Sequence, residues 1–212
     1  PAHPLGLPVI GSKETVATFD HAAAAEFHRR HYLTGNVVVA AAGAVDHAEL
    51  VAMVRARLGL PTGARSARTH VAPVTEPRLK VVQKDTEQAH ICFGVAGLPA
   101  RDPDRFSLAV LDGILGGGMA SRLFQEIREK RGLAYAVYSY HQLYQDAGEF
   151  VIYAGTRPDN AAEVVTLIRA EIDSLCSAGI TADELERVRE SIKGQMVLGL
   201  ESTRSRMTRL GK

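Results

Sequence analysis

Two side chains near the middle of the sequence, Arg128 and Tyr135, have the types and the spacing to bind a carbonyl oxygen. They lie in the run GGGMASRLFQEIREKRGLAYAVYSY, where glycines precede a charged helix and Gly132 separates that helix from a tyrosine-rich strand. A reversal at a glycine after a helix can bring residues on its two sides together. A guanidinium and a phenol held at one place can bind a carbonyl oxygen as it gains negative charge. We therefore take this pair as a candidate functional site.

The same stretch has a second interpretation, as a solvated surface helix. Pairs of opposite charge at i,i+4 spacing, Arg122–Glu126 and Glu126–Lys130, would each stabilise such a helix by about 0.2–0.5 kcal/mol. This interpretation accounts for most of the charges, but not for the abrupt end of the helix at Gly132 or for the aromatic strand that follows it. At the level of the residues, both interpretations stay open.

The glycine run GILGGGMAS raises a third possibility, a phosphate-binding module. A P-loop needs a lysine followed by serine or threonine after its second glycine, and this run contains no lysine. Glycines before a helix can still present backbone amides to an anion. Flexible or closely packed backbone is the alternative reason for glycine at these positions.

Two histidines in the stretch EFHRRHY, His28 and His31, are three residues apart and close to Glu26. Helical zinc motifs place their histidines four apart with a glutamate between them, whereas both residues between these two are arginine. We therefore expect no metal ligand in this chain. The other histidines form no spaced set: His3, His21, His47, His70, His90 and His141.

Hydrophobic patterning and turn residues predict the elements that position Arg128 and Tyr135. A capping box at Thr181 and Glu184 predicts the start of the last helix, which continues past Leu200. In chain order the expected elements are strands in RLKVVQKD and QAHICFGVAG, a helix from Asp102 to Leu115, a charged helix from Ala120 to Arg131, strands at Tyr135–Tyr144 and Glu149–Thr156 joined by QDAG, and a helix from Pro158 to Gly179.

The amino-terminal part of the chain has fewer elements. Helices are expected at Phe19–His31 and from Asp46, and the apolar run NVVVAAAGAV at Asn36–Val45 predicts a strand that is buried on both faces. A single strand of this kind can neither pair its backbone groups nor bury its surface alone. We therefore expect its partner strands elsewhere, and we expect the chain to be an internal fragment of a longer protein.

Composition restricts the function classes. The chain has 212 residues, of which 46% are hydrophobic and 23% charged, as in ordinary globular proteins. A net charge of +1 gives no general attraction to nucleic acid or to anionic membranes, and no apolar run approaches the roughly 20 residues of a membrane span. The only cysteines, Cys92 and Cys176, are expected to be buried thiols in a reducing compartment, which suggests a cytoplasmic location.

The segment SRLFQEIREKRGLAYAVYS resembles the Arg/Tyr segment of the pitrilysin and processing-peptidase type of zinc metallopeptidases, with Arg128 and Tyr135 on the family's arginine and tyrosine. The stretches HPLGLPVIG, FHRRHY, NVVVAAAGAVDHAEL and GLPARDPDRF are similar to parts of the short two-domain bacterial members, in the same order. Leu7 stands where arginine is common, which is a mild departure.

This resemblance implies two homologous α+β domains, each with an antiparallel-rich sheet covered by helices on one face. In the family, the first domain carries an H-x-x-E-H zinc motif and a downstream glutamate, and neither precedes the matching stretches in this chain. The implied division is residues 1–62 as the end of the first domain, 63–77 as a linker and 78–212 as most of the second domain.

The function implied by the resemblance is that of a zinc-dependent endopeptidase, in which a zinc-bound water attacks a peptide held between the two domains. Arg128 and Tyr135 would be catalytic, orienting the scissile carbonyl and stabilising the oxyanion. Zinc is expected in the intact protein and not in this chain, which is expected to be inactive alone. The alternative is a non-catalytic partner subunit that carries the Arg/Tyr pair or is purely structural. The expected partners are a peptide or unfolded protein substrate and, in a dimer, a second copy or a related subunit, with no nucleic acid and no membrane.

Overall fold

The computed structural model describes residues 3–64, 73 and 75–212. The fold is α+β, as predicted, with helices and one antiparallel sheet. The elements in chain order are α1 (Lys13–Ala17), α2 (His21–His31), α3 (His47–Arg57), β1 (Ala89–Gly97), α4 (Arg105–Leu115), a π-helical segment (Phe124–Glu129), β2 (Ala134–Leu143), β3 (Gly148–Thr156), α5 (Ala161–Ala178), α6 (Ala182–Gly199) and α7 (Thr203–Gly211).

The chain forms two compact units. One consists of Pro1–Val71 with Gly194–Lys212, and the other of Ala72–Lys193. The division expected for the intact protein stays a prediction, and part of its linker (65–72 and 74, with His70) lies outside the described residues. None of the helices in the described part of the chain is both long and apolar enough to cross a bilayer.

The second unit is built on a three-stranded sheet in the order β1-β3-β2, with both neighbouring pairs antiparallel. The β2–β3 connection is a hairpin closed by a hydrogen bond from the Tyr144 amide to the Ala147 carbonyl (2.8 Å). Alternate residues of β3 point into the core, and α4, α5 and the π-helical segment contribute to the same side. The buried cluster comprises Leu115, Leu123, Ile127, Ala134, Val137, Phe150, Ile152, Ala154, Val164 and Ile168.

The helices of the second unit show most of their predicted signals. The prediction that the last helix continues past Leu200 is wrong, because α6 ends at Gly199 and a separate helix, α7, begins at Thr203 with Ser202 as its cap. The capping box of α6 forms, because the Glu184 amide donates to Thr181 Oγ1 (3.2 Å) and the Thr181 amide donates to Glu184 Oε2 (2.8 Å). The helix α5 ends at Gly179, whose φ of 72° is in the left-handed region that favours glycine. The helix α4 begins later than predicted, at Arg105, because Asp102 forms a turn in which its carboxylate accepts from the Asp104 amide (2.9 Å).

The first unit has capped helices but no buried core. Asp20 caps α2 by accepting from the Ala23 amide (2.8 Å), and Asp46 caps α3 by accepting from the Glu49 amide (2.9 Å). No described residue of this unit is buried. The strand predicted at Asn36–Val45 is not formed, and Val38 is 73% exposed. The physical reason is that no segment among the described residues pairs with it.

Two further predictions for the second unit are wrong. The segment RLKVVQKD forms no regular secondary structure, with Leu79 91% exposed and Val81 74% exposed, so it adds no strand to the sheet. Cys92 and Cys176 are both exposed free thiols rather than buried ones. Cys92 pairs with Tyr153 across β1 and β3, on the sheet face opposite to the buried cluster, which explains its exposure.

Candidate functional site

The helix that carries Arg128 is fixed by its apolar side and contains a π-helical turn. Leu123 and Ile127 are fully buried in the core of the second unit. At the end of the segment, the Lys130 amide donates to the Gln125 carbonyl (3.0 Å), which is five residues back instead of four. A π-helical turn holds one residue more than an α-helical turn and often occurs at functional sites.

The reversal after this helix takes place at Gly132, as predicted. Its φ of 62° is left-handed, and its amide donates to the Arg128 carbonyl (3.0 Å). The next amide, that of Leu133, donates to the Ile127 carbonyl (2.9 Å). These two bonds bind the start of the next strand directly to the last turn of the helix.

Tyr135 is the extra residue of a β-bulge at the start of β2. Ala134 lies opposite Thr156 and Ala136 lies opposite Gly155, so two steps on β2 match one step on β3. A bulge leaves its extra residue without a ladder partner and changes the direction of its side chain. Tyr135 is 77% exposed, whereas its neighbour Ala134 is buried.

The guanidinium of Arg128 contacts two aromatic rings. Its Cζ is 5.0 Å from the ring centre of Tyr135 and 4.8 Å from that of Phe124, one helical turn earlier. Both distances are within the range in which a cation is attracted to the ring face. The structure therefore brings the two sequence-predicted site residues together, and Phe124 is a third member that sequence reasoning missed. Its i,i+4 spacing to Arg128 is readable in the sequence.

This arrangement can bind a carbonyl oxygen. Arg128 has five N–H donors in a planar fork, and Tyr135 has a hydroxyl donor on an exposed ring. Both side chains come from elements whose other residues, Ile127 and Ala134, are anchored in the core. Donors placed on a rigid base need little rearrangement when negative charge develops on an oxygen.

Close packing explains two glycines of the GGG run without a ligand. A Cβ on Gly116 would lie 2.2 Å from the backbone nitrogen of Ser139, and one on Gly117 would lie 2.8 Å from the Cα of Gly113. The last glycine, Gly118, accepts the Ser121 amide (3.0 Å) and its hydroxyl (2.6 Å) through its carbonyl. This packing favours the structural reason for the glycines over phosphate binding.

One predicted ion pair of the charged helix is wrong. Arg122 does not pair with Glu126; it binds Glu184 at the start of α6, through Nε–Oε1 (2.6 Å) and Nη2–Oε2 (2.8 Å). Both side chains are largely buried, at 16% and 15% exposure. This bidentate pair lowers the pKa of the Glu184 carboxyl to about 2. The other predicted pair, Glu126–Lys130, is confirmed, and the hydrogen bond from Lys130 lowers the pKa of the Glu126 carboxyl.

A second polar network, also missed from the sequence, joins α4 to β2. Asp112 accepts the Ser139 hydroxyl at Oδ1 (2.5 Å), and its Oδ2 lies 2.8 Å from His141 Nδ1. A Ser-His-Asp catalytic triad needs the histidine between the other two, next to the serine. Here the carboxylate is between them, so the network holds a helix to a strand and does not activate the serine.

His28 and His31 pack against aromatic rings of their own helix or the residue that follows it. His28 stacks on Tyr32 (4.4 Å between ring centres) and His31 packs on Phe27 (4.5 Å). The adjacent Glu26 is held by arginines of the same helix. Among the described residues, no group of three or more His, Cys, Asp or Glu side chains is arranged to hold a metal ion. The donor set described here therefore does not match the three or four ligands of zinc sites.

Known sequences similar to this chain are described as peptidases. The profile of the family described as "Peptidase M16 inactive domain" matches residues 18–192. An uncharacterized zinc protease of Streptomyces coelicolor is 42% identical over 98% of this chain, and one of Mycobacterium tuberculosis is 44% identical over 99% of it. The matches cover 47% and 49% of those relatives, so the chain spans about half the length of the curated relatives it matches.

Solved structures with the same fold are similar over nearly the whole chain. The peptidase M16 inactive domain from Pseudomonas fluorescens has a TM-score of 0.86 at 27% identity, covering 99% of this chain and 50% of that one. A chain of Complex III2 from Candida albicans has a TM-score of 0.82 at 19% identity, covering 99% of this chain and 52% of that one. The second similarity is one of fold alone.

Proposed function

Because the chain belongs to the peptidase M16 family and matches its inactive domain, we propose that it is the carbonyl-binding half of a zinc-dependent endopeptidase. In the full-length protein, the zinc ligands would lie on residues outside this chain, and this chain would bind no zinc and cleave no peptide alone. Its substrate would be a peptide or an unfolded protein. A peptidase role at the level of the family agrees with the zinc proteases among the relatives.

The observation that supports the proposal is the meeting of Arg128 and Tyr135. Two separate irregularities, a π-helical turn and a β-bulge, bring these side chains to within 5.0 Å, measured from Arg128 Cζ to the Tyr135 ring centre. Each irregularity interrupts the regular hydrogen-bonding pattern of its own element. A solvated surface helix needs neither of them, and each lies at one of the two candidate donors.

In the proposed reaction, these two side chains act on the substrate carbonyl. The Arg128 fork donates to the carbonyl oxygen and orients the peptide, and the Tyr135 hydroxyl donates to the same oxygen as it becomes an oxyanion. The remaining chemistry would belong to groups outside this chain. Arg128 and Tyr135 then stabilise the transition state more than the bound substrate, because a hydrogen bond to a charged oxygen is stronger than one to a neutral oxygen.

A second candidate function is a non-catalytic partner subunit. The description of the matching family as an inactive domain favours it. In this case the chain would pair with a second copy or with a related subunit that holds the zinc. The two candidates differ in whether the Arg/Tyr pair affects catalysis in the protein to which this chain belongs.

The experiment is steady-state kinetics of the full-length protein with fluorescein-labelled casein. We expect Tyr135→Phe to lower kcat by ~10²–10³-fold with little change in KM, the scale of removing one oxyanion donor. We expect Arg128→Lys to lower kcat as well, because an ammonium does not reproduce the planar fork. Zinc content and the unfolding midpoint should equal those of the wild type in both variants.

Lys130→Ala is the matched control, since it removes a charge from the same helix and breaks only the surface pair with Glu126. We expect this variant to keep the wild-type rate. If Tyr135→Phe and Lys130→Ala are equally active, Arg128 and Tyr135 have only a structural role. The partner-subunit function would then replace the peptidase function.

A further inference from the structure

We propose that Arg122 and Glu184 form a clasp that positions Arg128 against Tyr135. The purpose of this positioning, which is catalysis, rests on the proposed function. The geometry on which the inference is built does not depend on any activity. The clasp joins the first turn of the site helix to the corner between α5 and α6. Arg122 and Glu184 would thus be positioning residues that act through the backbone of the helix.

The first reason is the completeness of the Arg122 contacts. Besides its two bonds to Glu184, its Nη2 donates to the Gly179 carbonyl (3.0 Å), the residue at which α5 ends. Its Nη1 is 3.5 Å from the Ser174 hydroxyl, inside α5. A single guanidinium therefore binds both sides of the α5–α6 corner, in the bidentate geometry that arginine provides and lysine does not.

The second reason is that Glu184 cannot easily turn away from Arg122. Its Oε2 also accepts the Thr181 amide (2.8 Å) and the Thr181 hydroxyl (3.1 Å), so the carboxylate is part of the α6 cap. Burial raises the pKa of the nearby Glu171 carboxyl, and Glu126 adds to the effect. The charge on Glu184, in contrast, is stabilised by four hydrogen bonds, two of them from Arg122.

The third reason is where the clasp lies relative to the π-helical turn. Arg122 lies two residues before this segment, and the reversal at Gly132 lies three residues after it. A π-helical turn has a regular α-helix as its competitor, which would need one residue fewer. With both ends fixed, the extra residue stays within the segment and Arg128 stays over Tyr135. Without the clasp, the segment can slip toward α-helical bonding and rotate Arg128 away.

The test is hydrogen exchange by mass spectrometry on the full-length protein with Arg122→Met. We expect exchange at the amides of Lys130, Gly132 and Leu133 to rise by about 10-fold, since these donate the bonds that close the segment. Exchange in β3 is the internal reference and should not change. Arg122→Lys should give a smaller increase, and it serves as the folded variant if the methionine variant unfolds.

The matched control is Arg187→Met, on α6. Arg187 also donates to the site helix region, at the Ala120 carbonyl (3.3 Å), but through one bond and from an exposed side chain. We expect exchange in this variant to equal that of the wild type. Unchanged exchange at the three reporter amides in a folded Arg122→Met or Arg122→Lys protein would overturn the clasp.

Steady-state kinetics on labelled casein distinguish a positioning role from a purely structural one, which would not change kcat selectively. Arg122→Met should lower kcat by about 10-fold with KM nearly unchanged, and should have a much smaller effect in an Arg128→Lys background, because the proposed role acts through Arg128. Full additivity of the two substitutions would overturn the positioning role. If the wild type does not cleave casein, the proposed function fails for this substrate, whereas the hydrogen-exchange result still decides on the clasp.

Discussion

The two compact units contain similar apolar runs, but only one of them buries any. In the first unit the run NVVVAAAGAV forms no strand and none of its residues is buried, whereas in the second most of the strand β3 is buried, with Ala154 inaccessible and Ile152 nearly so. Both runs have strand-forming composition. The difference is that β3 has a paired strand on each side and helices over one face. Apolar sequence therefore specifies the tendency to form a strand, and partners decide whether the strand forms.

The largest expected contrast between the units is in hydrogen exchange of the 212-residue chain. Amides of β3 should be protected by about 10³-fold or more, because their exchange requires opening of the whole sheet. Amides at 36–44 should exchange nearly as in an unfolded peptide. In the full-length protein, where we expect partner strands for this segment, the same amides should become protected. Slow exchange at 36–44 in a monomer of the chain alone would contradict this prediction.

The next contrast is in side-chain packing, and it uses the same substitution in both units. Val164→Ala removes two methyl groups from a fully buried position, and should lower the free energy of unfolding by about 2–3 kcal/mol. Val38→Ala acts at a position that is 73% exposed and should change it by less than about 0.5 kcal/mol. Urea unfolding of the chain measures both. Equal losses would show that the first unit has a core of its own.

A third prediction separates buried from exposed ion pairs by pH. The pKa of Glu184 is lowered to about 2 in the folded chain, so the stability that it contributes is present above its unfolded pKa near 4.5. This stability is lost as the pH falls from ~4.5 toward ~2, and it amounts to on the order of 3 kcal/mol. Glu184→Gln should remove this part of the acid dependence, measured by urea unfolding from about pH 6 down to about pH 2, which covers the range in which the stability is lost.

The matched control for this titration is Glu190→Gln. Glu190 also pairs with a cation, Lys193, but both side chains are more than half exposed. Solvent screening makes such a pair nearly neutral for stability. An acid dependence that persists in Glu184→Gln and disappears in Glu190→Gln would reverse the assignment.

The smallest expected effect tests the aromatic packing of Arg128. Phe124→Leu keeps the side chain apolar but removes one of the two rings beside the guanidinium, a loss of about 0.5–1 kcal/mol or 2–5-fold in kcat/KM. Phe106→Leu is the matched control, because Arg105 lies over the Phe106 ring at 4.2 Å on α4, away from the site. The control should leave kcat/KM unchanged in the full-length protein, and an equal loss in both variants would show a general effect on folding.

Much of the second unit could be predicted from the sequence because its signals are local. The Gly179 stop, the Thr181 capping box, the β2–β3 hairpin and the reversal at Gly132 each depend on residues within one or two turns. The predicted α+β fold and family are confirmed. The catalytic roles of Arg128 and Tyr135 stay a prediction.

The errors share a cause, which is dependence on residues far away in the sequence. The Arg122–Glu184 pair spans 62 residues, and local spacing favoured Glu126 instead. The strands predicted at Asn36–Val45 and in RLKVVQKD need partners that local pattern cannot supply. The bulge, in contrast, has a local signal in the spacing of the tyrosines. Tyr138 and Tyr140 keep the period of two of a strand, and Tyr135 lies three residues before Tyr138, out of phase.

The β-bulge at Tyr135 and the π-helical turn before it have a consequence for gene-level variation. Each holds one residue more than the regular element would, so a single-codon deletion in either place restores an ordinary strand or helix. Such deletions are usually the most damaging small changes within secondary structure. Here they would leave a protein that folds as well as before, or better, and that has lost the meeting of Arg128 and Tyr135. Homologous sequences shorter by one codon at these points are therefore the natural candidates for members that keep the fold and have given up the site.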